Sequence, residues 1–62
     1  VSTKVASDVQ VGDRISIRGV ELTVTRIDHP FLGMPNMLKF VESTDQVWRC
    51  VPTTTDGEVE VS

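Results

Sequence analysis

The chain has 62 residues, of which 39% are hydrophobic and 24% charged, with a formal net charge of −3. A chain this short has room for one domain over 1–62 and buries only about 60% of its unfolded surface, so a deep catalytic cleft is not expected. The single cysteine excludes an internal disulfide, and one cysteine with one histidine cannot close a structural zinc site.

Residues 1–10 are expected to be an extended lead-in. Their start, Val1-Ser2-Thr3-Lys4-Val5, lacks the apolar core of a signal peptide, and no run in the chain approaches the roughly 18 apolar residues of a membrane helix. With the free thiol, this sets the expectation of a soluble, cytoplasmic protein that contacts no membrane.

From residue 13 onward apolar positions fall two apart and β-branched residues dominate, which is the strand signature. The first strand, 13–18, points Ile15 and Ile17 inward. A tight turn at Arg18-Gly19 follows, with glycine supplying the positive φ. The second strand, 20–27, points Val20, Leu22 and Val24 to one side and leaves Ile27 out of step, so a bulge or bend near Thr25-Arg26 is needed to return Ile27 to the core. Strand three, 37–43, sets Leu38 and Phe40 against Met37 and Val41. Strand four, 46–51, sets Val47, Arg49 and Val51 against Trp48 and Cys50, so both faces of this pair carry apolar groups. Glu58-Val59-Glu60-Val61 is a short final strand with its valines inward. Five short strands in meander order predict an all-β fold, a small SH3-like barrel closed by return of the last strand to the first. An OB-like barrel is the second choice, because the turn at 43–45 leaves no room for a helix between strands three and four.

The segment Asp8-Val9-Gln10-Val11-Gly12-Asp13-Arg14-Ile15, the run from Gly19 to Ile27 and the terminal Glu58-Val59-Glu60-Val61 resemble short, mostly uncharacterised SH3-like β-barrel proteins of actinobacteria and their bacteriophages. The resemblance rests on a Gly-Asp entry, a hairpin glycine and a final valine strand. It implies the fold and a phage or actinobacterial origin, and transfers no catalytic residue.

The loop from Asp28 to Met37 is long for so small a domain and carries Phe31, Leu32 and Met34 where loops are usually polar. One expectation is a binding loop stiffened by Pro30 and Pro35. The other, favoured on the need of a small domain for every large apolar group, is that Phe31 and Leu32 fold back as a lid over one end of the barrel. Trp48 is most simply a packing anchor in a core of aliphatic residues; the alternative makes it part of a ligand groove. Arg14, Arg18, Arg26 and Arg49, with Lys39 nearby, supply a modest phosphate-contacting stripe if they converge, though balance by Glu21 and Glu42 on a solvated face is the simpler expectation. Cys50 and His29 do not make a credible nucleophile and base, since Cys50 sits mid-strand between hydrophobes.

No catalytic residue, metal or cofactor is therefore expected. The sequence points to a non-catalytic binding module, monomeric or weakly homo-oligomeric, that meets a protein partner through the 29–37 loop and Trp48. Nucleic-acid binding through the arginine face is the alternative.

Overall fold

The computed structural model describes residues 2–62. Seven strands form: β1 (Ser2–Val5), β2 (Arg14–Ile17), β3 (Val20–Thr23), β4 (Arg26–Asp28), β5 (Met37–Ser43), β6 (Trp48–Thr54) and β7 (Glu58–Val61). They divide into two antiparallel sheets, one of order β1-β7-β2-β3 and one of order β4-β5-β6. Among the described residues the only helical element is a 3-10 turn at Ala6–Asp8, and no helix is long and apolar enough to cross a membrane.

Two features raise the strand number from the predicted five to seven. The lead-in is not merely extended, because Ser2–Val5 pairs along β7. The predicted second strand is divided between the sheets at the expected bend. There the Val24 N–H donates to the Asp13 carbonyl at 2.9 Å, and one residue later the Thr25 N–H donates to the Val41 carbonyl at 2.8 Å. The backbone passes from one sheet to the other within a single peptide, which returns Ile27 to pack against the core.

The predicted meander holds only in part: β2 pairs with β3, and β4, β5 and β6 follow in order, but β3 and β4 lie in different sheets and β7 leaves β6 to pair beside β2, with Ile15 opposite Val61. The expected closed cylinder does not form, since β3 and β6 are each the last strand of their sheet. Two arginine side chains bridge that gap instead. The Arg18 Nη2 donates to the Pro52 carbonyl at 2.8 Å, and the Arg49 Nη1 donates to the Glu21 carbonyl at 3.0 Å.

The core between the sheets is made of Ala6, Val9, Ile15, Ile17, Leu22, Val24, Leu38, Phe40, Val51 and Val59. Each valine, leucine, isoleucine and phenylalanine among them contributes on the order of 1.5–3 kcal/mol by leaving water. Val20, predicted inward, is 40% exposed because it closes the turn at Arg18-Gly19. The lid expectation also fails: Leu32 is 76% exposed and Phe31 lies outside the core cluster. Ala6 and Val9 supply core in their place. The 3-10 turn holds them there, with the Ala6 N–H donating to the Gly57 carbonyl at 2.7 Å and the Ser7 N–H to the Thr55 carbonyl at 3.0 Å.

Candidate functional site

Side chains of directly opposed residues in an antiparallel pair lie on the same face of the sheet. Phe40 opposes Val51 on the inner face of the three-stranded sheet, so the pairs Met37–Thr54, Lys39–Pro52, Val41–Cys50 and Ser43–Trp48 all fall on its outer face. Arg26 and Asp28 of β4 join the same face opposite Val41 and Lys39. An outer sheet face is usually polar, yet this one carries Met37, Val41, Trp48, Cys50 and Pro52.

Trp48 is not the predicted packing anchor. Its register puts it on the side away from Phe40, and it is 63% exposed. Phe40, fully buried, takes the anchoring role. Val41 is also fully buried although it lies outside the core cluster, so its neighbours on the outer face already shield part of that surface.

The loop adds to this face at its other end. Leu32 and Gly33 both have positive φ, 56° and 70°, and the Met34 N–H donates to the Phe31 carbonyl at 3.0 Å, which is the geometry of a type I′ two-residue turn. The Phe31 N–H donates in turn to the Met37 carbonyl at 3.1 Å, fastening the turn to the start of β5. Phe31 is half-buried beneath the Lys39 ammonium, which lies 5.2 Å from its ring centre. Leu32 and Met34 project outward. From the Lys39 pair to the Trp48 pair is four residues along the ladder, or roughly 13 Å.

A bulky residue in the left-handed region costs roughly 1–2 kcal/mol. Arg18 bears the same cost at φ 50°, and its bond to Pro52 offsets it. Leu32 has no such compensation in the isolated chain, being both strained and mostly in water.

One carboxylate faces two cations over the apolar face. Asp28 accepts from Arg26 at 3.0 Å and pairs with Lys39 at 3.5 Å, leaving the group at +1. On the opposite sheet, Glu21, Ser16, Glu60, Thr3 and Arg14 share the outer register. That side is polar and acidic.

The arginines do not converge into one stripe. Arg14 pairs with Glu21 at 3.6 Å and Glu42 at 3.9 Å, Arg18 and Arg49 are committed to backbone carbonyls, and Arg26 belongs to the apolar face with Asp28. Glu21 and Glu42 thus balance Arg14 alone and not the other three arginines. Cys50 sits half-buried against Val41, and the His29 Nε2–H donates to the Pro35 carbonyl at 2.9 Å. Asp13 accepts the Gln10 N–H at 3.0 Å and the Lys4 ammonium at 3.3 Å, which together hold its carboxyl below the ordinary value.

Sequence reasoning named Phe31, Leu32, Met34 and Trp48 as candidates but not the residues the register places between them on this face, Met37, Val41, Cys50 and Pro52. The apolar alternation on both faces of β5 and β6 was the available signal. Comparison of the chain with protein-family models, curated proteins and solved structures finds no match.

Proposed function

We propose that the chain is a small non-catalytic binding module that docks a protein partner through the 29–37 loop and the outer face of β4, β5 and β6. The observation that carries this is Leu32, held at positive φ and 76% exposed at one end of a face whose other end is an exposed Trp48. Backbone strain without local benefit is concentrated at contact sites, and tryptophan is enriched at binding hot spots. Leu32 and Met34 offer adaptable apolar contact, Trp48 a rigid one, and Arg26, Asp28 and Lys39 a polar rim.

The SH3-like reading of the fold is part of the proposal. It is supported by a bent strand shared between two sheets and by the return of β7 to β2. A cytoplasmic setting is proposed on the single free cysteine, and an accessory role in a phage or actinobacterium on the resemblance given above. A monomer is favoured over self-pairing at β6, because Pro52 removes an N–H donor from that edge and Arg18 occupies its carbonyl. Nucleic-acid binding receives less support, since each arginine already has a partner within the chain.

The test is a triple variant, Leu32→Ala, Met34→Ala and Trp48→Ala. It should keep the β-rich circular dichroism spectrum and lose partner capture, whereas Arg14→Glu with Arg49→Glu should not abolish capture. Undiminished capture by the folded triple variant would sink the proposal.

A further inference from the structure

The inner side of the same loop walls a second feature. A pocket of about 390 Å³ opens at the end of the molecule between the loop and the 3-10 turn, lined by Ala6, Ser7, Val9, Ile27, His29, Pro35, Leu38 and Thr55. Its floor is apolar, formed by buried Ala6, Val9 and Leu38 with half-buried Ile27. Its mouth carries the hydroxyls of Ser7 and Thr55 and the imidazole of His29. No carboxylate, ammonium or guanidinium lines it, so a charged ligand would lose its hydration without compensation.

At the mouth the Ser7 and Thr55 hydroxyls both donate and accept, whereas His29 adds a group of one kind. A carbonyl oxygen can only accept, so the bond from His29 to Pro35 fixes the ring proton on Nε2 and leaves Nδ1 of the neutral ring as an acceptor. An apolar pocket with a few polar groups at its rim, at the small end of the ligand-site range, suits one ring that buries its body and donates from its edge.

We propose that this pocket receives a single uncharged aromatic side chain bearing an N–H or O–H donor, tryptophan or tyrosine, presented by the protein partner. The proposal rests on the docking reading above, and continuity supports it: His29 and Pro35 belong to the loop whose tip bears Leu32 and Met34.

Titrating the ¹⁵N-labelled full chain with indole tests this directly. Indole should shift the amides of Ala6, Val9, Ile27 and Leu38 saturably, with a Kd on the order of 1 mM. The donor-less probe 1-methylindole should bind about fivefold more weakly, as loss of one hydrogen bond implies. Ser7→Phe, at an exposed position on the mouth, should abolish the shifts with the spectrum otherwise intact. The triple variant of the loop tip and Trp48 should leave them unchanged, so failure of the pocket and failure of the docking face are read separately. Shifts centred on Leu32 and Trp48, absence of saturation, equal affinity for 1-methylindole, or indifference to Ser7→Phe would each overturn the proposal.

Discussion

Replacing Leu32 by Asn should stabilise the chain, whereas the same replacement at Arg18 should not. Both residues occupy the first central position of a tight turn followed by glycine, at φ 56° and 50°. Asn tolerates the left-handed region better than either, so each change should recover about 1 kcal/mol of backbone strain. Leu32 is 76% exposed, so the change forfeits only about a quarter of a buried leucine's worth, roughly 0.5 kcal/mol. The net gain is about 0.5 kcal/mol, or roughly 2–4 °C in Tm for a domain of this size. At Arg18 the same gain is offset by loss of the bond to Pro52, worth roughly 0.5–1.5 kcal/mol, and the net is about zero or negative. Urea and thermal melts of the two variants, followed by circular dichroism, measure the difference. A loss of more than about 1 kcal/mol at Leu32→Asn would show that Leu32 packs, and equal gains at both sites would show that the arginine bridge between the sheets contributes nothing; either refutes the reasoning.

Trp48→Ala should cost at most about 2 kcal/mol, because little more than a third of the ring is covered, against the roughly 3–5 kcal/mol of a core tryptophan. Urea unfolding decides between them, and ready quenching of the sole tryptophan's fluorescence by acrylamide should accompany the small value. Phe40→Ala should cost roughly 3–5 kcal/mol, comparable with the roughly 3–9 kcal/mol available to a chain of this length, and leave the protein largely unfolded by circular dichroism. Asp13 is held below its ordinary value of 3.8, first by the Gln10 N–H and then by Lys4, so its contribution is present above that value and lost as pH falls through the folded one. Asp13→Asn should therefore be the less stable chain near neutral pH, with the gap to the wild type closing in acid; a gap that does not narrow contradicts the assignment.

Alternation made Ile15, Ile17, Leu22, Val24 and the final valines legible as core, and the phase error at Ile27 located the bend between the sheets. The hairpin at Arg18-Gly19 was also legible, though glycine alone was expected to take the positive φ and Arg18 shares it. Ala6 and Val9 were not legible, because a small residue and a lone valine in a short segment carry no period. Period two could not assign Trp48 to a side, since both faces of β5 and β6 are apolar; only the choice of Phe40 and Val51 as the inner pair resolves it. Leu32 gave no signal of its strain, which is a property of the turn and not of leucine.

The footprint of a bound partner on the chain, read by amide hydrogen exchange with and without the captured protein, tests the docking face most directly. Slowed exchange should gather at 31–34 and around Trp48 and Cys50. Protection confined to Arg14, Ser16, Glu21 and Glu60 on the opposite sheet would contradict it.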